Sequence, residues 1–288
     1  MKEKIVVLIN CIDQKGIIAK VSSWFYERGL NVLHCQQYTT ADEESLFFMR
    51  VELEKSASEI SNEDLEKEFG KFAEKEGFSY KIHYSSYKER VAILVSKTSH
   101  CLYELLSRYD ENDLPAEIVM IVGNHDTLRS VAEKFNIPFY YMPIEDGKKE
   151  EQEKRIIDLL MKNNIDLVVL ARYMQILTPN FINAYRNRII NIHHGFLPAF
   201  QGANPYKQAY ERGVKIIGAT AHYASEDLDQ GPIIEQDVIR ANHVEGPTLL
   251  RDMGKDVEKR VLLSAVRSHL ERRIIVYKNK TIVFQKES

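Results

Sequence analysis

The chain has 288 residues, 44% hydrophobic and 28% charged, with a formal net charge of -3. That length accommodates two ordinary domains, each able to bury its own core. The small net charge speaks against nucleic acid or an anionic membrane surface as a partner, and no apolar run approaches the roughly 20 residues that cross a bilayer.

Residues 3–10 form an apolar, strand-like run, too short and wrongly flanked for a signal-peptide core. Residues 16–29 have helical spacing, with Ile17, Ile18, Val21, Trp24 and Phe25 on one side and Gly29 as the stop. Residues 31–40 and 44–53 predict two strands. Ser61 opens a polar helix that turns Leu65, Phe69 and Phe72 inward and ends near Gly77, and 78–84 closes as a strand. Strand-helix-strand-strand-helix-strand is a split βαβ unit of ferredoxin-like type. It defines a first domain, 1–84, with 85–89 as linker.

From residue 90 the pattern changes to strand-helix alternation. Strands are predicted at 90–96, 116–123, 139–141, 166–170 and 189–192, with a further apolar run at 218–223. Helices are predicted at 100–109, 127–135 and 150–163. This is the mark of an α/β domain, 90–288, built on a doubly wound, mostly parallel sheet, which binds ligands beyond the carboxyl ends of its strands. Residues 148–155 mix charge signs at helical spacing and read as a solvated helix face. Pro205 starts a short helix running to Gly213, and 244–272 is largely helical, followed by a two-strand element at 274–277 and 281–284. Cys11, Cys35 and Cys101 are scattered and odd in number, as expected of reduced thiols in a cytoplasmic protein.

The chemistry-bearing residues follow two apolar runs. Asn191 and His193 come just after Ile189-Ile190, and Asp227 and Asp229 lie in a loop ending Gly231-Pro232. Taken singly, Asn191 reads equally as a strand-end turn residue, His193 as a hydrogen-bonded structural histidine, and the aspartates as ordinary loop acids. Together they offer an amide for a developing oxyanion, an imidazole to carry a proton, and a carboxylate to orient the imidazole or activate water. That set attacks a carbonyl-like carbon. His193 and His194 are adjacent, so on an extended backbone only one of them enters a given site. No pair or triad has metal-ligand spacing, and no metal is expected. Leu197-Pro198 predicts an extended, stiff backbone after the histidines, and Gly202 a tight bend.

The segment from Asn191 to Pro232 resembles the catalytic core of the folate-dependent formyltransferase family. The shared features are Asn-x-His before a Leu-Pro loop and, later, an aspartate loop that here reads Asp227-Leu228-Asp229-Gln230-Gly231-Pro232. The resemblance implies that Asn191, His193 and Asp229 are the catalytic set, and that His222 is the histidine on the strand leading to the aspartate loop. Residues 170–177 resemble the loop that holds the pterin ring, with Gln175 where the family's transferases often carry Arg. It follows that Met174, Gln175, Ile176, Leu177, Thr220, His222 and Asp227 would contact the folate.

Within that family the likeness is greatest to the hydrolytic branch. The loop Ser96-Lys97-Thr98-Ser99-His100-Cys101-Leu102 lacks the glycines that cradle a substrate phosphate in the ribonucleotide transferases. The first domain resembles an ACT domain, through residues 11–19 and Gly29-Leu30-Asn31-Val32. Gly195 stands where that branch would carry Ser. The resemblance implies 10-formyltetrahydrofolate as substrate, water as acceptor and no required cofactor. It also implies an amino-acid effector near Asp13, Gly16 and Asn31, and a homo-oligomer formed through sheet edges. Formyl transfer to an amine and a purely amino-acid-sensing regulatory protein are the alternatives.

Overall fold

The computed structural model describes residues 3–41, 44–56, 60–199, 205–242 and 246–286. The bend expected at Gly202 and the start of the helix expected from 244 lie outside the described residues. The chain divides into two compact units. One is Met1–Lys88 with Arg272–Ile275 and Ile282–Ser288; the other is Glu89–Glu271 with Val276–Thr281.

The first unit runs β1 (Glu3–Ile12), α1 (Ile17–Tyr26), β2 (Asn31–Thr39), β3 (Leu46–Lys55), α2 (Asn62–Glu76) and β4 (Ser79–Tyr84). Its sheet has the order β2-β3-β1-β4 with every neighbouring pair antiparallel, the expected ferredoxin-like arrangement. Alternation sets the core. Ile5, Val7, Ile9 and Cys11 of β1 join Phe47, Met49, Val51 and Leu53 of β3 in one buried cluster with the helices. In α1 the buried residues are Ile17, Val21, Trp24 and Phe25. Ile18, expected inward, is 42% exposed because that stripe leaves it on the flank. Ser61 caps α2 by accepting from Asp64 N at 3.0 Å, and Gly77 ends the helix. Phe69 lies at the centre, stacked on Phe25 and edge-on to Trp24 and Tyr80.

The second unit begins with β5 (Glu89–Val95), α3 (His100–Asp110), β6 (Ala116–Gly123), α4 (Arg129–Lys134), β7 (Phe139–Tyr141), α5 (Lys149–Lys162) and β8 (Leu167–Leu170). It continues with α6 (Pro179–Ala184), β9 (Ile189–His193), α7 (Pro205–Glu211), β10 (Ile216–Tyr223), β11 (Ile233–Arg240) and α8 (Pro247–Leu270). Strands β12 (Ile274–Tyr277) and β13 (Lys280–Val283) then pair with each other. The main sheet has the order β11-β10-β9-β8-β5-β6-β7. From β9 to β7 all neighbours are parallel, whereas β10 is antiparallel to both β9 and β11. The doubly wound, mostly parallel sheet is therefore as expected. The chain leaves β5 in one direction through β6 and β7, then returns to β8 on the other side. The switch point thus lies between β5 and β8, where such sheets open a crevice.

Two elements lie outside the sequence prediction. Strand β11 interrupts its apolar residues with Glu235-Gln236-Asp237 and is mostly half-buried or exposed, a weak signal next to the apolar runs of the parallel strands. Helix α6 has six residues, too few to show a period. Its cap was legible, since Thr178 accepts from Phe181 N and Pro179 sits in the first turn. The charged run at 148–155 departs from the solvated face expected of it. Gln152 and Glu153 are buried. Gln152 Nε2 donates to Met142 O at 2.8 Å, and Glu153 Oε2 accepts from Thr178 N at 3.0 Å and Thr178 Oγ1 at 2.5 Å. Their hydrogen bonds offset the desolvation that composition alone suggested they avoid.

Trp24 is the one tryptophan of the chain, so its fluorescence reports on the first unit. Phe69→Ala is expected to lower that unit's stability by about 3–5 kcal/mol, read as a shift of the Trp24 transition in urea.

Candidate active site

Residues two apart on a strand share a face, so β9 projects Asn191 and His193 together. Antiparallel pairing sets His222 of β10 opposite Asn191 and Thr220 opposite His193. Asn191 Nδ2 and His222 Nε2 lie 3.1 Å apart. His222 Nδ1 is 2.9 Å from Tyr223 O, and a carbonyl only accepts, so Nδ1 carries the proton. His222 Nε2 is then free to accept from the Asn191 amide, which leaves the second amide hydrogen for another acceptor.

The loop after β10 brings Asp229 to both histidines. His193 Nδ1 is 3.2 Å from Asp229 Oδ2, and His222 Nε2 is 3.7 Å from Oδ1. Burial works to raise the Asp229 pKa, but the hydrogen bond and charge of His193 prevail and hold the carboxyl well below the usual carboxylate range. Asp229 adopts left-handed backbone, φ 57°, unusual for a residue with a side chain. The loop is closed behind it: Tyr223 N donates to Pro232 O at 2.9 Å, and a Cβ on Gly231 would stand 1.8 Å from Tyr223 O. Only glycine permits that approach. His193 Nε2 is buried without a hydrogen-bond partner among the described residues.

Asn191, His193 and Asp229 line a cleft of about 610 Å³ together with Thr98, Arg172, Tyr173, Met174, Gln175, Ile176, Ile192, His194, Tyr206, Lys207, Leu228 and Arg251. A smaller pocket of about 50 Å³ adjoins it, formed by Gln175, Ile176, Leu177, His222, Leu228 and neighbours, and shares Asn191 and Asp229 with the cleft. The Met174–Leu177 wall is anchored at both ends. Met174 N donates to Ser96 Oγ at 3.0 Å, Lys149 Nζ donates to Ile176 O, and Glu153 holds Thr178.

Residues 89–266 match the formyl transferase family, and residues 5–70 match the ACT domain. A formyltetrahydrofolate deformylase of Bacillus subtilis (strain 168) is 48% identical over 96% of this chain and 93% of its own length. The chain belongs to the formyltetrahydrofolate deformylase family. Among solved structures, a formyltetrahydrofolate deformylase from Pseudomonas syringae pv. tomato aligns with a TM-score of 0.95 and 40% identity, covering 99% of this chain and 95% of that one. A glycinamide ribonucleotide transformylase from Symbiobacterium toebii aligns with a TM-score of 0.67 and 25% identity, covering 70% of this chain and 97% of that one. The deformylases therefore match both units at full length.

The structure brings Asn191, His193, His222 and Asp229 into direct contact and sets Met174, Gln175, Ile176 and Leu177 on the cleft or its side pocket. Thr220 and Asp227 do not line either. Thr220 is fully buried; its hydroxyl donates to Gly195 O at 2.9 Å and accepts from Leu197 N at 3.0 Å, holding the loop after β9. Asp227 offers its carbonyl, which accepts from Ser225 Oγ at 2.8 Å. His194 does enter the cleft with His193, contrary to the one-of-two expectation, because β9 ends at His193 and the chain bends there. The backbone beyond turns through a cis Leu197–Pro198 bond instead of running extended.

In the ACT domain Gly16 (φ 88°) precedes α1, beside Asp13 at the end of β1. Asn31 is elsewhere. It pairs with Glu54, which pairs with Lys4, so Asn31 is level with the start of β1, roughly 30 Å from Asp13 at about 3.3 Å per residue. One copy of the chain does not unite the three. Missing from the sequence reading were the roles of Arg172, Tyr206 and Glu258. Glu258 carried a signal: it falls in the apolar stripe of α8 with Leu250, Val257, Val261 and Leu262.

Burial, and after it the charge of Arg172, pushes the His194 pKa down to about 4. The unfolded chain takes up that proton near pH 6.5. This contribution to stability is thus complete above about pH 6.5 and is lost as pH falls toward 4. Urea midpoints are expected to drop between pH 7 and pH 5, and His194→Gln to reduce that drop. An unchanged pH dependence in the variant would contradict burial of a neutral ring.

Proposed function

We propose that this chain hydrolyses 10-formyltetrahydrofolate to formate and tetrahydrofolate, with Asn191, His193 and Asp229 as the catalytic residues. The observation that carries this reading is the Asn191–His222 and His193–Asp229 arrangement at one end of β9, in a chain whose full-length relatives bear the deformylase name. The pterin lies against Gln175, Ile176 and Leu177, and His222 holds the amide of Asn191 in place.

Water attacks the formyl carbon. Its oxygen bonds to that carbon, and the carbonyl electrons move onto oxygen. Asn191 Nδ2 and an imidazolium His193, donating through Nε2, receive the oxyanion. The bond from carbon to N10 then breaks. One proton derived from water ends on N10, and the other leaves as the product ionises to formate. A carboxylate held as far below its ordinary range as Asp229 is a poor ground-state base. We therefore assign Asp229 to orienting the water and holding His193, with the proton relayed as the tetrahedral intermediate collapses.

The wider reading is a folate-using enzyme of the cytoplasm that releases formate for purine synthesis and balances the one-carbon pool. It needs neither cofactor nor metal, and assembles as a homo-oligomer. No helix among the described residues is long and apolar enough to cross a membrane. The domain arrangement we propose is an ACT-like regulatory domain (1–84), a linker (85–89) and a catalytic domain (90–288). An amino-acid effector contacts Asp13 and Gly16; contact with Asn31 as well requires a second copy of the chain.

Purified protein given 10-formyltetrahydrofolate alone is expected to release formate; turnover only after an amine is added would refute hydrolysis. Asn191→Ala is expected to cost roughly 100- to 1,000-fold in kcat, as for loss of one oxyanion donor. The effector reading is checked by thermal shifts against a panel of single amino acids. One or a few should raise the transition temperature, and Gly16→Ala should abolish that rise.

A further inference from the structure

A cluster of ionised side chains borders the cleft and takes no part in the chemistry assigned above. Glu258 on α8 has a side chain only 1% exposed. Its Oε1 accepts from the Tyr206 hydroxyl at 2.5 Å, and its Oε2 lies 2.7 Å from His100 Nε2 and 3.5 Å from Arg172 Nε. Gly254, one turn earlier on α8, makes room for this. A Cβ there would stand 2.0 Å from Tyr206 Oη, so a side chain would drive the tyrosine off the helix. His100, Cys101 and Glu258 offer three atoms within 4.8 Å that could hold a metal. The neighbouring guanidinium disfavours a cation there, and burial first of all pushes the Cys101 thiol far above its ordinary range.

Arg172 is the unusual member. It follows β8 by two residues, beside the switch point, in left-handed backbone with φ 61°. Its Nε and Nη1 are buried without a hydrogen-bond partner among the described residues, although Nε remains in ion-pair range of Glu258. Arg172, Lys207 and Arg251 all line the cleft, and among its lining residues Asp229 is the sole carboxylate. Asp229 is already committed to His193. His193, His194 and Tyr206 form a continuous series of ring contacts from the catalytic residues to this cluster, with centroids 5.5 and 6.0 Å apart.

Transfer to an amine would use the same Asn191 and His193. The amine nitrogen bonds to the formyl carbon, the bond to N10 breaks, and the proton lost by the amine ends on N10. Nothing in that chemistry separates an amine from water, so discrimination falls to the electrostatics of the cleft. We propose that Arg172 reserves the formyl carbon for water: it pairs with Glu258, the other carboxylate bordering the cleft, and lines the cleft wall with its own positive charge, so an amine that arrives protonated finds no free counter-ion beside which to shed its proton and attack. This rests on the hydrolytic reading above and names the residue that sets its acceptor specificity.

The test is a partition measurement. Wild type, Arg172→Gly and Arg172→Asn, the latter two both suited to left-handed backbone, are incubated with 10-formyltetrahydrofolate and glycinamide. Formate and N-formylglycinamide are then quantified. Wild type is expected to yield formate alone. The two variants are expected to divert at least about a tenth of the formyl groups to the amine, a fraction that falls when Glu258→Gln is added, while Arg172→Lys keeps the wild-type partition. A role in folding alone would lower both products together and leave their ratio unchanged. An unchanged ratio in both neutral variants overturns the proposal, as does complete loss of turnover in both, which would make Arg172 necessary for the reaction itself. Formate release by wild type without amine is scored separately, so failure of the hydrolytic reading is distinct from failure of this one.

Discussion

The site depends on the antiparallel pairing of β9 with β10 at the edge of an otherwise parallel run. A sixth parallel strand would bring its own carboxyl end to the same crevice, together with a loop of unrelated length. The reversal instead lays the middle of β10 against the end of β9, where His222 meets Asn191 across the ladder and Thr220 fastens the segment that follows His193. The strand then runs away from the crevice, and a short closed loop brings Asp229 back to it. One change of strand direction thus gathers an amide, two imidazoles and a carboxylate at the end of β9, with Asn191 on His222 and His193 on Asp229. The rigid sheet supplies the precision and the loop supplies only one atom group.

Charge is arranged in two separate balances around this geometry. At the end of β9, the Asp229 carboxylate pairs with His193, and burial is outweighed by pairing. Farther along the cleft, one carboxylate serves a tyrosine, a histidine and an arginine. The first balance leaves polar atoms of Asn191 and His193 available for a substrate oxygen. The second leaves a guanidinium under-coordinated. The fold of the second unit is shared with a glycinamide ribonucleotide transformylase, and the acceptor proposed for this chain rests on which of its charges remain unspent.

The fold was legible where period and punctuation agree. Ser61 and Gly77 bracket α2, the near-continuous apolar runs of β5 and β8 announce strands buried on both faces, and the Asn-x-His spacing puts two side chains on one face. What escaped was set by tertiary partners. Gln152 and Glu153 look solvated until the loop at Thr178 closes over them. His194 enters the cleft only because β9 ends one residue earlier. Thr220 looks like a ligand contact by position, yet its hydroxyl is consumed by the backbone of Gly195 and Leu197. Asn31 looks like a neighbour of Gly16 in a motif, but strand register sends it to the far end of the sheet. Arg172 sat in plain view within a recognised loop, and its meaning depended on Glu258, which lies 86 residues later in the chain.

The closed loop behind Asp229 has a consequence for how the site meets its substrate. With Tyr223 and Pro232 joined by a backbone hydrogen bond and Gly231 packed against the same carbonyl, the carboxylate is held in its working orientation before anything enters the cleft. Under the proposed mechanism, binding energy from the folate is therefore not drawn off to assemble these groups and can be used to position the formyl carbon. The left-handed backbone at Asp229 is a strain settled at folding, before any ligand binds.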